Sequence, residues 1–400
     1  MSCTEHHSVI IIGAGPAGLA AATCLKAQGV TALIVEQSDR IAVKWHKHYD
    51  RLHLHTHRDY SALPEMPYPK DYPIFISRQQ VLDYMESYAK KFDHKPRFGV
   101  KILNLAKQGE IWFLKTNKGF LSADHVIVAT GRNRSPKNKE LPELKKYTGQ
   151  VIHSAHYRNG KELKGKNVLV IGAGNTGAEI ALDLAEHQAK SFLCVRSPTH
   201  VVPLNSMGSA SQITNIRLSY LPISLTDPIT KIFLKLKMGD LSKYGLIRPK
   251  EGTRAHMKRT GRVPIIDIGT IDAIKKGLIK VVKGLDQVDG RKVQFKGGYA
   301  QSFDAVVVAT GYTPGLGEFL PNNKIYEDRF GIPRQDLAEM EDSEKIYFIG
   351  LRDEGTGVLY QINKRAYGLA ERVAKSMKAY PSFVTKEIKG KNLETMSTRG

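Results

Sequence analysis

The feature that most constrains the fold is a β-branched strand that runs into a glycine turn near the start of the chain. Residues 9–12 are Val-Ile-Ile-Ile, and Gly13, Gly15 and Gly18 follow with the spacing G-x-G-x-x-G before an Ala-rich helix. In this spacing the first glycine permits the turn, the second lets a pyrophosphate approach the backbone, and the third lets helix and strand pack closely. The helix N-terminus favours phosphate groups. The segment therefore predicts a dinucleotide site.

The glycine motif occurs twice, with a different residue after the second strand of each copy. The first copy is followed by a strand ending in Glu36, whose carboxylate is well placed to accept hydrogen bonds from ribose hydroxyls. The second copy begins at residue 168, and its candidate binding residues are Gly172, Gly174, Asn175, Thr176 and Gly177. Its following strand ends in Arg196, and a guanidinium binds a 2′-phosphate. We interpret the first copy as the FAD site and the second as the NADPH site; the alternative is that the second copy is a structural turn.

Two hydrophobic strands end in the same small-residue turn and bracket the second glycine motif. Residues 124–131 and 304–311 both end in Ala-Thr-Gly. We include Thr130, Thr310 and Gly311 among the candidate cofactor-binding residues. The simplest explanation of the repeat is that one domain is inserted into another, with the chain leaving at the first turn and returning at the second.

The expected fold class is therefore α/β, with two Rossmann-like dinucleotide-binding domains. The FAD-binding domain is expected to be discontinuous, with residues 1–135 and 312–385. The NADPH-binding domain, residues 136–311, is expected to be inserted in it. Residues 386–400 are polar and Lys-rich and are expected to form a flexible tail.

A loop rich in histidines, aromatic residues and prolines spans residues 45–69. Long proline-rich loops inside compact domains are usually functional, so we expect this loop to lie over the flavin, with Trp45 among the cofactor-binding residues. His53, His55 and His57 would face the same way in a strand, as metal ligands do. Only one acid is in step with them and no cysteine is near, so we expect polar residues beside a cofactor and no metal site.

Charge and cysteine content exclude several classes of function. The net charge is +21, but the Lys and Arg residues are scattered, so we expect anionic cofactors and small substrates and no nucleic-acid partner. Cys3, Cys24 and Cys194 form no C-x-x-C pair, which argues against a disulfide framework or a dithiol redox centre. Glycines and a proline interrupt the apolar run at residues 9–25, and no Lys or Arg precedes it, so a cytoplasmic location is expected.

Residues 218–237 are apolar, carry basic residues and contain Pro222 and Pro228. One interpretation is an amphipathic patch directed toward substrate or membrane. The other, which we expect, is a cover over the cofactor domain. Separately, the net charge of +21 leaves loose association with anionic membrane surfaces as an alternative. Because the basic residues are scattered along the chain, we do not expect membrane association.

Residues 147–157 resemble the identifying motif of the flavin-containing monooxygenases, Phe-x-Gly-x-x-x-His-x-x-x-(Tyr or Trp). Gly149, His153 and Tyr157 fit the motif, and Tyr147 replaces the usual Phe. Within that family the chain looks most like the YUCCA-type branch of indole-3-pyruvate monooxygenases and their bacterial relatives. The matching segments are residues 49–55, 63–69, 243–250 and 264–269.

This resemblance implies an NADPH- and FAD-dependent monooxygenase that inserts one atom of dioxygen into a small organic substrate through a C4a-hydroperoxyflavin. The substrate would be a 2-oxo acid such as indole-3-pyruvate, or a thioether or amine. It also implies two candidate catalytic residues: His55, at the position where animal-type members carry an Asn near the flavin, and Tyr49, at the start of the matching segment. The alternatives are an NADPH-dependent flavin reductase or oxidase without oxygen insertion, and a nucleotide-sensing binding protein. A homodimer is compatible with this prediction.

Overall fold

The computed structural model of the chain describes residues 5–137, 141–206, 208–334 and 336–379. Cys3 and the tail predicted at 386–400 lie outside these residues. The strands in chain order are β1 (Glu5–Ile12), β2 (Leu33–Glu36), β3 (Arg97–Phe98), β4 (Ile102–Gln108), β5 (Ile111–Thr116), β6 (Gly119–Val128), β7 (Ser135–Pro136), β8 (Gln150–His153), β9 (Asn167–Ile171), β10 (Lys190–Cys194), β11 (Val201–Pro203), β12 (Asn205–Ser206), β13 (Ser209–Ala210), β14 (Ile265–Asp267), β15 (Ile279–Val282), β16 (Leu285–Asp289), β17 (Lys292–Phe295), β18 (Ala300–Ser302), β19 (Ala305–Val308), β20 (Tyr312–Thr313) and β21 (Ile346–Phe348). The α-helices are α1 (Pro16–Ala27), α2 (Val43–His46), α3 (Arg78–Lys91), α4 (Asn175–Glu186), α5 (Ser211–Ser219), α6 (Ile223–Met238), α7 (Thr253–Thr260), α8 (Thr270–Lys275), α9 (Ala338–Glu344) and α10 (Val358–Ala379).

The first sheet has the strand order β3-β2-β1-β6-β5-β4, with β21 also paired to β6. β1 is parallel to β2 and β6, so the first glycine turn lies at the carboxyl edge of the sheet beside the end of β6. One edge of β6 is shared between two partners: its first half pairs antiparallel with β5, and its last three residues pair parallel with β21. Strands from both ends of the chain therefore complete one sheet.

The second sheet is fully parallel, with the order β15-β10-β9-β19-β8. All of its strands come from residues 150–308 and lie between β6 and β21 in the sequence. Two Rossmann-like units with one inserted in the other are thus present, as the repeated glycine motif predicted. The domain limits proposed from the sequence stay predictions.

Alternation along β1 explains how the first unit buries both faces of its sheet. Val9 and Ile11 pack with α1, α3 and α10 in one core, whereas Ile10 and Ile12 pack with β4, β5 and the segment around Leu316 in another. The last helix, α10, packs on α1 through Ala366, Leu369, Ala370 and Val373.

Residues 218–237 form the end of α5 and most of α6. Pro222 precedes α6 and Pro228 lies inside it. Leu234 and Met238 are buried in the core of the second unit, which agrees with the expected covering role. The opposite side of α6 is apolar and exposed, which that expectation did not include. Within the described residues, no helix has both the length and the apolar run needed to cross a bilayer.

Candidate functional site

Both glycine turns open into a single cavity of about 1160 Å³ between the two sheets. The sequence-predicted residues that line it are Gly13, Gly15, Glu36, Trp45, Tyr49, His55, Thr130, Gly172, Gly174, Asn175, Thr176, Arg196, Thr310 and Gly311. Two predicted residues, Gly18 and Gly177, lie behind the turns and not in the cavity wall. The fold therefore brings together residues that are up to about three hundred positions apart.

The three glycines of the first turn meet different steric demands. Gly13 has φ +110°, and a Cβ there would lie 2.7 Å from the Ala129 carbonyl oxygen. A Cβ on Gly18 would overlap the Gly13 carbonyl oxygen, so this glycine lets α1 pack against the turn. A Cβ on Gly15 would have nothing within 4 Å, because this residue faces the cavity. Only Gly15, the middle glycine, has open space beside it that a ligand can occupy.

The second turn repeats this geometry. Gly172 has φ +119° and approaches the Ala309 carbonyl, as Gly13 approaches Ala129. A Cβ on Gly177 would overlap the Gly172 carbonyl oxygen, whereas Gly174 faces open space. Each turn thus leaves a cradle at the N-terminus of a twelve-residue helix, where unpaired N–H groups and the helix dipole favour phosphate. The alternative of a purely structural second turn does not explain the open space at Gly174.

The Glu36 carboxylate is fixed at the cavity wall by three hydrogen bonds. Oε2 accepts from the Ala14 amide at 2.9 Å, and Oε1 accepts from the Ser38 amide at 2.9 Å and its hydroxyl at 2.7 Å. A carboxylate oxygen can accept two hydrogen bonds, so Oε2 retains capacity for a further donor. This arrangement fits a ribose hydroxyl.

The turn after β6 presents a polar atom without a protein partner. The Thr130 hydroxyl is buried and forms no hydrogen bond within the described residues. Buried hydroxyls in folded proteins are generally hydrogen bonded, so this one fits a ligand in the cavity. The equivalent Thr310 hydroxyl donates to the Lys137 carbonyl at 3.3 Å, and the Gly311 carbonyl accepts from the Lys137 amide at 2.9 Å. Together with Gly15 and Glu36, the free hydroxyl fits a flavin dinucleotide in the first unit.

The second unit offers cationic and polar groups in place of Glu36. Arg196 is exposed at the cavity rim after β10. Arg262 lies at the same rim and donates to the Ser197 hydroxyl at 2.6 Å. Two guanidinium groups and a hydroxyl fit a 2′-phosphate. The Asn175 side chain accepts a hydrogen bond from the Ile266 amide at 2.7 Å and so fixes β14 beside α4.

The positions of two other basic residues near Arg196 in the sequence exclude them as ligands of the 2′-phosphate. Lys190 begins β10 and therefore lies at the opposite edge of the sheet. His200 is buried, hydrogen bonds to the Glu251 carbonyl at 3.1 Å, and does not line the cavity.

A buried carboxylate connects the two units beside the predicted catalytic residues. Glu179 on α4 is 1% exposed and lines the cavity, and its Oε1 is 3.0 Å from Nε2 of His55. Its other oxygen, Oε2, is buried and accepts no hydrogen bond of good geometry from the described part of the chain. Burial, and then the neighbouring Glu179 carboxylate, raise the pKa of Tyr49 well above its ordinary value. Burial lowers the pKa of His48 to about 4, although Glu179 acts in the opposite direction.

Sequence reasoning missed Glu179 because a glutamate is ordinary within a helix. The signal available was its neighbours: Glu179 stands among Ala178, Ile180 and Ala181 on a helix that must pack on a sheet. A carboxylate in such a run is buried and needs a partner from elsewhere in the fold. The partner, His55, belongs to the loop of the first unit.

Gln212 on α5 is a second residue that sequence reasoning missed. Its side chain is 5% exposed, accepts from the His57 amide at 2.7 Å and donates to the Thr356 carbonyl at 2.7 Å. It therefore ties the histidine loop and the segment before α10 to the inserted unit.

The three loop histidines do not converge on a metal site. His53 hydrogen bonds to the Arg51 carbonyl at 2.7 Å, His55 faces Glu179, and His57 accepts from the Asp59 amide at 3.2 Å. No group of three or more His, Cys, Asp or Glu side chains able to hold a metal occurs in the described residues.

The motif at residues 147–157 stabilises the inserted unit and does not line the cavity. The Tyr147 hydroxyl donates to the Phe303 carbonyl at 3.0 Å, and its ring covers Gly149, which has no room for a side chain. The Tyr157 hydroxyl donates to Asp183 Oδ2 at 2.6 Å on α4. These contacts fix β8 and α4, which explains how a motif outside the site can mark a family.

Comparison with known proteins agrees with this geometry. A family model described as pyridine nucleotide-disulphide oxidoreductase matches residues 10–214. Indole-3-pyruvate monooxygenase YUCCA1 of Oryza sativa subsp. japonica is 38% identical over 352 residues, covering 86% of this chain and 87% of that protein. The chain belongs to the YUCCA-type branch of the flavin-containing monooxygenases.

Solved structures of related fold are more distant in sequence. The flavin-containing monooxygenase from Stenotrophomonas maltophilia matches with a TM-score of 0.68 at 20% identity, covering 93% of this chain and 99% of that one. Cyclohexanone monooxygenase from Rhodococcus sp. Phi1 bound to NADP+ matches with a TM-score of 0.70 at 18% identity, covering 94% and 85%. These likenesses show the fold. As a member of this family, the chain is a monooxygenase that uses FAD and NADPH. The family assignment does not support the alternative predictions of a flavin reductase or a nucleotide sensor.

Proposed function

We propose that this monooxygenase oxidises a 2-oxo acid, with indole-3-pyruvate as the first compound to test. The observation that carries the proposal is the single cavity into which both glycine cradles open, together with the match to relatives named as indole-3-pyruvate monooxygenases over most of their length. A cavity of about 1160 Å³ exceeds the ordinary range for one small ligand, about 300–1,000 Å³, as a site for two cofactors and a substrate requires.

Under this proposal the first unit holds FAD. The pyrophosphate would approach Gly15 at the N-terminus of α1, Glu36 would accept from the ribose, and the Thr130 hydroxyl would find its missing partner in the cofactor. Trp45 would lie over the flavin. Gly13 and Gly18 act behind the turn, where they allow the backbone path and the close packing of α1.

The second unit would hold NADPH. Its pyrophosphate would approach Gly174, and the 2′-phosphate would pair with Arg196 and Arg262. Thr176, Thr310 and Gly311 line the same part of the cavity. Gly172 and Gly177 would support the turn, and Asn175 would hold β14.

The chemistry that the bound cofactors supply is hydride transfer and activation of dioxygen. The chain adds orientation and the exclusion of water. Glu179 would hold the His55 imidazole in one orientation at the cavity wall, and the buried Tyr49 would stay a neutral hydrogen-bond donor because its pKa is raised. Gln212 would keep the histidine loop closed on the inserted unit.

An acidic substrate with an aromatic ring suits the rest of the wall. Arg254 and Lys296 line the cavity and add positive charge, whereas Leu218, Met257 and Ile362 add apolar surface. Carboxylates are attracted to such basic clefts, and aromatic rings gain from apolar contact.

The experiment is turnover under labelled dioxygen with indole-3-pyruvate, phenylpyruvate and a simple thioether side by side. We expect NADPH-dependent uptake of one dioxygen per substrate, one labelled atom in the product of the 2-oxo acid and the other in water. Labelled product from the thioether alone would overturn the substrate class. Hydrogen peroxide in stoichiometric yield from every compound would overturn the assignment of oxygen insertion.

A cytoplasmic location belongs to the same proposal. Cys24 and Cys194 are buried and unpaired, as in proteins of a reducing compartment. The apolar run at residues 9–25 is accounted for by β1 and α1 in the core. A homodimer stays a prediction, to be measured by analytical ultracentrifugation.

A further inference from the structure

The inserted unit carries an exposed apolar surface to which the proposed reaction gives no role. Six of the thirteen large hydrophobic residues that are exposed in the described part of the chain fall within residues 220–236. We call them the α5–α6 apolar face: Tyr220, Leu221, Leu225, Ile229, Ile232 and Leu236, between 50% and 80% exposed. Clustered exposed apolar residues mark interaction surfaces, whereas single ones are normal.

The spacing of the four aliphatic residues on α6 makes this face continuous. Positions 225, 229, 232 and 236 follow the i, i+4, i+7, i+11 pattern of one helix side. The opposite side is anchored: Leu234 and Met238 are buried, and the Asp227 carboxylate accepts from the Arg254 amide at 3.1 Å and the Ala255 amide at 2.9 Å. The helix is therefore held with its apolar side outward.

The charges around this face are mostly positive. Between residues 197 and 240 the sequence holds four basic residues and two acids: Asp227 is buried, and Asp240, just beyond α6, is exposed. Lys231, Lys235 and Lys237 are exposed on α6 itself. Lys364 of α10 lies against the Tyr220 ring at the edge of the face. A binding partner that complements this surface is apolar opposite the aliphatic residues of α6 and anionic opposite the surrounding lysines.

A second copy of the chain does not meet that requirement. In a two-fold contact through α6 the same lysines would face each other. The one exposed carboxylate next to the helix, Asp240, already accepts from the amide and hydroxyl of Ser242. The interface of an anionic bilayer supplies both components. Aliphatic side chains enter at headgroup depth while lysine ammonium groups stay among the anionic headgroups.

We propose that the α5–α6 apolar face docks peripherally on the surface of an anionic lipid bilayer. This reverses the expectation, drawn from scattered charge, that the protein does not associate with membranes. The inner side of α5 lines the cavity through Gln212, Asn215 and Leu218, so docking places the substrate cavity directly behind the lipid contact. An apolar acid dissolved in the interface would then enter from the lipid side.

The test is co-sedimentation of the full chain with vesicles made of equal parts phosphatidylcholine and phosphatidylserine, and with pure phosphatidylcholine vesicles. The parent should bind the mixed vesicles and release in high salt. Ile229→Gln with Leu236→Gln should weaken binding about a hundredfold, roughly tenfold for each exposed aliphatic side chain. Lys235→Gln with Lys237→Gln should weaken binding to the anionic vesicles alone, roughly thirtyfold.

The matched control is Leu278→Gln, an exposed leucine before β15 that belongs to neither α5 nor α6. It should bind as the parent does, and all variants should keep the parent's melting temperature because the replaced side chains are exposed. Equal vesicle binding by the parent and the Ile229/Leu236 variant would overturn the proposal. A dimer in ultracentrifugation that this variant dissociates, without vesicle binding by the parent, would overturn it in favour of a second copy.

Discussion

Replacing Glu179 by Gln tests whether the buried carboxylate positions His55. The change keeps the size and shape of a side chain that is 1% exposed and removes the charge 3.0 Å from the imidazole Nε2. The 3.0 Å pair lies within hydrogen-bonding distance, and a charged partner is worth about 1–2 kcal/mol more than a neutral one, so removing the charge weakens the contact by about that amount. The population of the held His55 orientation should fall roughly five- to thirtyfold.

The assay is the ratio of oxygenated product to hydrogen peroxide per NADPH oxidised. In Glu179→Gln we expect this ratio to fall by about the same factor, while flavin content and flavin reduction by NADPH stay near the parent's. The ring resonances of His55 in NMR spectra should shift, which a merely structural change elsewhere would not produce. Folding stability should fall by no more than about 1–2 kcal/mol, because Gln keeps the volume of the side chain and loses only the charged part of the contact.

Glu186→Gln is the matched control. It lies on the same helix, is exposed, and pairs with Arg51 at 3.2 Å, an exposed ion pair worth about 0–1 kcal/mol. It should leave both the product ratio and the His55 resonances unchanged. If Glu179→Gln behaved in the same way as Glu186→Gln, the positioning role would be refuted.

Three further predictions concern the cofactor cradles and acid stability. Gly15→Val should give folded but colourless protein, because its side chain enters open space where the FAD phosphate belongs, whereas Gly18→Val should misfold; absorbance and circular dichroism separate the two. Arg196→Ala should raise KM for NADPH roughly ten- to hundredfold and barely alter NADH use, with Arg262→Ala showing the same selectivity in steady-state kinetics; equal losses for both cofactors would contradict the 2′-phosphate role. Burial lowers the pKa of His125 to about 4 from its ordinary 6.5, so its contribution to stability is full above pH 6.5 and is lost as the pH falls toward 4. His125→Phe should therefore reduce the difference in the free energy of unfolding between pH 7 and pH 5 by about 1–2 kcal/mol, measured by denaturant titration at both values.

The parts of the site that the sequence predicted are those set by short-range geometry. A glycine at φ above +100°, an open cradle two residues later and a helix packed on its own turn all lie within six residues, so one motif specifies them. The same holds for Glu36 and Arg196. Glu36 ends the second strand of its unit and Arg196 follows the second strand of the other, and parallel strands bring their carboxyl ends to the same edge of a sheet.

The parts that the sequence did not predict depend on contacts between the two units. Glu179 needs His55 from a loop more than a hundred residues earlier, and Gln212 joins residues 57 and 356. Arg262 reaches the cradle because the segment after α7 contacts Ser197, just beyond the end of β10. No periodicity or spacing in the sequence encodes these contacts between the units. The exposed side of α6 is a further example, because the pattern of residues 218–237 predicted a covering segment but not how much of it is buried.

The insertion itself explains why two similar cradles form one site. The chain leaves the first sheet at the carboxyl end of β6, beside the first cradle. The outgoing and returning segments pair with each other through β7 and β20 before the chain reaches β21. Ligands of open α/β sheets bind at such edges, and here the two edges face a common cavity. The steric parts of the two turns are nearly identical, yet each turn adds a different chemistry: a fixed carboxylate in one and exposed guanidinium groups in the other. The residue that joins them is Glu179, since it stands on the helix of the second cradle and faces the loop over the first. A substitution there alters the relation between two cofactor sites while leaving each cradle intact, which is why its effect should appear in the fate of oxygen and not in cofactor content.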